Sequence, residues 1–183
     1  MSEFRTVVID PPWWEVGGGG RGAQNHYPLM RTPDIVYTIF DCGEYKRVAS
    51  RAHLWLWVTD NHLADGMAVL EALGWSYKRT FVWVKYKKRL QMGLGQYARG
   101  CKELCLFATR GRSMVPARAP KDTFLEASDT LFAPRQAHSK KPERFYTEVV
   151  ERVSPGPYLE MFARRPRANW TAWGNELDVE ETS

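Results

Sequence analysis

Asp10-Pro11-Pro12-Trp13, directly after the apolar run Val7-Val8-Ile9, combines residue types suited to holding a planar amine. An ionised carboxylate accepts hydrogen bonds and donates none, and each proline offers a carbonyl with no amide hydrogen beside it. Proline also forces the residue before it into extended conformations, so Pro11 constrains Asp10 and Pro12 constrains Pro11. The expected result is a stiff corner at a strand end, able to aim its acceptors. Trp13 adds an aromatic face that can stack on a base for about 1–3 kcal/mol. An exocyclic amine such as that of adenine fits all three parts. Its nitrogen is a weak nucleophile because the lone pair is delocalised into the ring, and acceptors that draw its hydrogens out of the ring plane restore that pair. A sulfonium methyl group is the matching electrophile. Such a transfer leaves catalysis to positioning and electrostatics, and positioning is worth about 7–11 kcal/mol in favourable cases. The alternative is that Pro-Pro ends a strand and Trp13 is a core aromatic, since four-residue motifs recur by accident.

The elements that must position this corner can be read along the chain. A strand over Thr6–Ile9 feeds it, and Gly17–Gly20 with Arg21 and Gly22 form a loop too glycine-rich for regular structure. That loop contains Gly-x-Gly-x-x-Gly only trivially, with no helix opening on it. Pro33 starts a helix running to Phe40, with Asp34 in its first turn. His53–Thr59 is an apolar strand of the kind covered on both faces. Asn61 is the expected cap of a helix carrying Leu63, Met67 and Leu70 at helical spacing and ending at Gly74. Strands follow at Phe81–Val84 and Leu104–Ala108, with a basic loop from Lys85 to Arg99 between them and a second loop over Thr109–Thr130. Pro142–Val153 reads as a helix with Phe145, Tyr146, Val149, Val150 and Val153 on one side, and Tyr158–Phe162 as a strand. Alternating strands and helices predict a three-layer α/β fold with a largely parallel sheet and ligands at the strand carboxyl ends.

The 183 residues suit one domain, with residues 178–183 expected to be a flexible acidic tail. Cys42, Cys101 and Cys105 match neither a zinc ribbon nor a Cys-x-x-Cys pair and read as reduced thiols, so no metal is expected. No signal segment and no run of 18 apolar residues is evident, which predicts a cytoplasmic protein off the membrane. A net charge of +5 and pI near 9.2 hint at a polyanionic partner. The basic residues gather at Lys85, Lys87, Lys88 and Arg89 and again from Arg99 onward, with Tyr86 and Tyr97 between them. These middle loops are the nucleic-acid candidates.

Asp10-Pro11-Pro12-Trp13, His26-Tyr27-Pro28 with Met30, Leu54 to Thr59, Trp83-Val84-Lys85, Lys102-Glu103, Lys141-Pro142, Ser154-Pro155-Gly156 and Gly174-Asn175-Glu176 occur in the order seen in MT-A70-like adenine N6-methyltransferases, and the compact architecture resembles the bacterial and phage members. This colinearity spans nearly the whole chain. The resemblance implies a Rossmann-like methyltransferase fold in permuted order, with the catalytic motif before the cofactor strand, and S-adenosylmethionine as donor. It makes Asp10, Pro11, Pro12 and Trp13 the catalytic corner, with Asp10 also near the methionine end of the cofactor. It gives Lys141 the cofactor carboxylate, and Glu160, Arg164, Asn175 and Glu176 the ribose and adenine. Glu160 could instead pair with Arg164, and Asn175 could be turn chemistry. His26 and Tyr27 would line the substrate entrance with the basic loop, and His138 is a further polar candidate. The segment Arg164–Trp170 is shorter than its eukaryotic counterpart and lacks the histidine found there, so the resemblance gives Arg165 and Arg167 no task.

The expected activity is therefore methylation of adenine N6 in DNA, on a flipped-out or single-stranded base. RNA is the main alternative, because discrimination by the 2′-hydroxyl depends on local geometry. A catalytically silent nucleic-acid platform conflicts with the intact corner, and a small-molecule amine methyltransferase leaves the basic loops unexplained. Monomer and homodimer are both open.

Overall fold

The computed structural model describes residues 3–14, 29–93, 97–112, 129–135, 140–175 and 177. Seven strands, β1 (Phe4–Ile9), β2 (Val48–Val58), β3 (Ser76–Lys85), β4 (Lys102–Arg110), β5 (Thr130–Ala133), β6 (Tyr158–Met161) and β7 (Trp170–Trp173), form one sheet in the order β5-β3-β4-β2-β1-β6-β7. β4 alone runs against its neighbours β2 and β3, and every other pairing is parallel. Three expected strands are longer than their apolar cores suggested, since β2, β3 and β4 continue into polar ends held by ladder hydrogen bonds. β5 and β7, four residues each, have no counterpart among the expected elements; so short a strand shows too little alternation to be recognised.

Alternation of side chains sorts the sheet into two cores. Val7, Ile9, Leu54, Leu56, Leu104, Leu106, Leu159 and Met161 face α1 (Thr32–Asp41) and α2 (Leu63–Ala72). Val8, Trp55, Trp57, Trp83 and Cys105 face a helical run over residues 143–153, π-helical at Phe145–Val150 and closed by the short turn α3 (Glu151–Val153). This is the three-layer arrangement expected. In the helical run Phe145, Tyr146, Val149 and Val150 are all buried, as their spacing predicted.

α1 begins one residue before the expected start, with Pro33 in its first turn. α2 departs further. Asn61 is not its cap: Asp60–His62 make a 3₁₀ turn, and His62 occupies the cap position without a side-chain cap bond. Its buried face is Gly66, Val69 and Leu70, whereas Leu63 and Met67 are exposed. The reason is close approach to the sheet. A Cβ on Gly66 would lie 2.5 Å from Val58 Cγ1 and 3.0 Å from Leu106 Cδ1, so the helix seats itself on its glycine and rotates Leu63 and Met67 outward.

Because all strands but β4 point one way, the carboxyl ends of β1, β2, β3, β6 and β7 and the amino end of β4 share one edge of the sheet. Asp10, Lys85, Glu103 and the residues after Met161 and Trp173 therefore converge from distant parts of the chain.

Candidate active site

β1 stops at Asp10 because Pro11 and Pro12 cannot donate to a ladder. The corner is then fastened from several sides. Trp13 N–H donates to Pro11 O at 3.0 Å, and Met30 N–H to Pro12 O at 2.7 Å. Trp14 N–H donates to Met30 O at 3.0 Å, so Met30 is paired with the corner on two sides. The Trp13 indole donates to Trp57 O at 2.9 Å and stacks on His62, ring centroids 5.3 Å apart. At 7% exposure Trp13 is a buttress under the corner. The free stacking face expected of it belongs to its neighbour Trp14, which is 48% exposed with Arg31 5.8 Å from its ring. The tryptophan doublet was the available signal, but sequence alone does not say which indole the turn directs inward.

The Asp10 carboxylate accepts from Lys141 Nζ through both oxygens, at 2.8 and 2.7 Å. Lys141 Nζ also lies 3.3 Å from Glu103 Oε2, and Glu103 Oε1 lies 2.7 Å from Lys85 Nζ. The four side chains form an alternating chain of charges, Asp10–Lys141–Glu103–Lys85, with side-chain exposures of 18, 6, 15 and 16%. Burial lowers the ammonium's proton affinity at Lys141, but the facing Asp10 and Glu103 outweigh it and the pKa is raised, against a smaller opposing influence from Arg164. Burial likewise pushes Glu103 up, and Lys141 with Lys85 more than compensates, so its pKa is lowered. Lys141 is thus engaged with Asp10 and Glu103, where the cofactor carboxylate was expected. Lys85 is likewise turned inward to Glu103 and is not part of the outer basic surface. Glu103 was visible only as part of a motif; its role arises because antiparallel β4 delivers its first residues to the edge where parallel strands end.

Glu160, buried near the end of β6, accepts from Tyr146 Oη–H at 2.6 Å through Oε1. Its Oε2 has no hydrogen-bond partner. Burial raises its pKa, opposed by the Tyr146 bond and the charge of Arg167, with Asp10 adding to the rise. The pairing of Glu160 with Arg164 considered above is replaced: Arg167 is the guanidinium facing Glu160. Arg164 is half-buried and near enough to Lys141 for its charge to be felt there. Asn175 is exposed in a turn after Gly174, whose missing Cβ leaves room for the Ala163 backbone. An acceptor left open in a buried carboxylate, next to the strand carrying Asp10, fits a group that brings hydroxyls to this edge.

Lys87, Lys88 and Arg89 are exposed in a tight turn after β3, with Lys88 at φ 80° and Tyr86 bridged to Leu90. Tyr97 is fully exposed, and exposed Arg99 donates to Gly93 O at 2.9 Å. This loop lies on the same edge as Asp10. His26, Tyr27, His138 and Glu176 lie outside the described residues. All three cysteines are free, and among the described residues no cluster suits a metal and no helix is long and apolar enough to cross a membrane.

A mostly parallel seven-stranded sheet, covered by helices on both faces and with its polar residues converging at the strand ends, is a Rossmann-like methyltransferase fold. The sequence matches the MT-A70 family over residues 4–176, and the chain belongs to that family. It is 28% identical over 97% of its length to a probable N(6)-adenosine-methyltransferase MT-A70-like protein of Oryza sativa subsp. japonica, and 26% identical over 97% to the human N(6)-adenosine-methyltransferase catalytic subunit METTL3. These matches cover 24 and 29% of the relatives, so the chain spans about a quarter of their length. It is also 26% identical to the type II methyltransferase M.MunI of Mycoplasma sp, over 96% of this chain and 78% of that protein.

Proposed function

We propose that the protein transfers a methyl group from S-adenosylmethionine to the N6 amine of adenine in DNA. The observation that carries this reading is the Asp10 carboxylate, set at the end of a parallel strand on a proline-stiffened corner and held through both oxygens by a buried lysine. A carboxylate has about four acceptor positions and a carbonyl two, so Asp10 and a proline carbonyl keep capacity for an amine's hydrogens after these internal bonds are made. Trp14 supplies an exposed indole for stacking on the base, and Lys87, Lys88, Arg89, Tyr97 and Arg99 meet the backbone of the same strand of nucleic acid.

Glu160, Arg164, Asn175 and Glu176 would hold the donor, with Asp10 beside its reacting end. When bound, that donor supplies a cationic methyl group open to in-line attack. The chain's own part is to orient the amine and hold its hydrogens away from the nitrogen lone pair, with Lys141 fixing the Asp10 carboxylate in place through both oxygens. The match to most of the length of M.MunI favours the compact type and hence DNA; RNA is the second reading, favoured by the names of the plant and human relatives.

The test is nucleoside mass spectrometry after incubating the protein and donor with mixed DNA and RNA. N6-methyldeoxyadenosine supports the reading, N6-methyladenosine moves the substrate to RNA, and no methylated adenine from either, with folded protein, rejects the activity.

A further inference from the structure

The connection from β6 to β7 contains a guanidinium for which the resemblance offered no role. Arg167 has a side chain only 9% exposed, its guanidinium carbon over the Tyr146 ring at 3.5 Å from the centroid, and is bonded to Glu143, which also holds Arg165. Its Nε points at Glu160 Oε2 across 3.6 Å, too far for a hydrogen bond, and neither atom has another hydrogen-bond partner. A buried donor and a buried acceptor left unmade side by side are costly and uncommon in folded proteins. Of simple charged groups, an ammonium cannot accept from Arg167 and a carboxylate cannot donate to Glu160, whereas a hydroxyl does both. Glu160 lies near the end of β6, and Asp10 is close enough for its charge to be felt there.

We infer that Arg167 is a further donor-binding residue, and that Arg167 Nε and Glu160 Oε2 together grip a ribose hydroxyl of the cofactor: the guanidinium donates to the hydroxyl oxygen, and the hydroxyl donates to the carboxylate. The inference rests on the reading of the protein as an S-adenosylmethionine-dependent enzyme. The contact with Tyr146 and the bond to Glu143 hold the guanidinium, so little ordering is needed when the hydroxyl arrives.

Calorimetric titration of the whole chain with S-adenosylhomocysteine and with its 2′,3′-dideoxy analogue separates the possibilities. Arg167→Met is expected to weaken binding of S-adenosylhomocysteine by about tenfold or more, as for loss of a hydrogen bond to a charged group, while changing binding of the dideoxy analogue little. Arg167→Lys keeps the charge and loses the Nε donor, and should show the same ligand-selective loss if the methionine variant fails to fold. An equal loss for both ligands, or none, overturns the inference and leaves Arg167 a packing residue. A folded unaltered protein that takes up neither ligand overturns the donor reading itself, a different outcome from selective or non-selective behaviour of the variants.

Discussion

Removing the Asp10 carboxylate touches stability and chemistry together, because Lys141 is buried against it. Asp10→Asn is expected to abolish measurable methyl transfer in a nucleoside mass-spectrometric assay. It should also lower stability, by less than the roughly 3–5 kcal/mol typical of stranding a buried charge, since Glu103 remains beside the ammonium. Urea unfolding measures that loss; unchanged turnover in Asp10→Asn ends its proposed role. The Glu103 carboxyl, held below its ordinary 4.5, adds stability that is fully present above that value and lost as pH falls through its lower folded pKa. The Lys141 ammonium, held above its ordinary 10.5, adds stability that is present below that value and lost as pH rises through its folded pKa. Glu103→Gln should therefore be less stable at neutral pH and flatten the acid limb of a melting-temperature profile below 4.5; an unaltered limb would remove Glu103 from the account. Trp13→Ala, deleting a buried ring that bonds Trp57 O and stacks on His62, should cost about 3–5 kcal/mol, whereas Trp14→Ala should leave the melting temperature nearly unchanged and weaken nucleic-acid binding.

Between elements, Gly66 sets how closely α2 lies on the sheet. Gly66→Ala gains about 1 kcal/mol of helix propensity but drives a methyl into the stiff side chain of Val58, an overpacking that costs about 1–3 kcal/mol. The expected balance is a lower melting temperature with an unchanged circular dichroism spectrum, and a rise would show that the helix can lift without cost. The same packing explains why the apolar spacing of Leu63 and Met67 pointed to the wrong face. Periodicity records which side chains are large, and here the contact is made by the residue that has none. β1 and the helical run over residues 143–153 were legible because their apolar patterns are unbroken, whereas β5 and β7 are recruited to the sheet by their partners, β3 and β6.

Over the whole molecule, one edge of the sheet gathers the corner, the charge chain and the loop after β3. Lys85 belongs to the inner chain and Lys87, Lys88 and Arg89 to the outer surface, although all lie within five residues. Replacing these three by glutamine should weaken binding to duplex DNA and lower the slope of log affinity against log salt by up to about 2.7, from 0.9 per phosphate contact. Fluorescence anisotropy across a salt series measures it, and an unchanged slope excludes the loop from the interface.

The sequence by itself determined the corner, because proline's missing amide and fixed φ act on neighbouring residues and need no distant partner. It also determined the fold class and the family likeness, since apolar periodicity and motif order are properties of the linear chain. Only the tertiary structure decided which tryptophan is buried, that Lys141 holds Asp10, that Lys85 turns inward, and that Arg167 faces Glu160. Each of these depends on side chains from strands and helices far apart in sequence meeting at one edge, where burial makes the choice of partner energetically decisive.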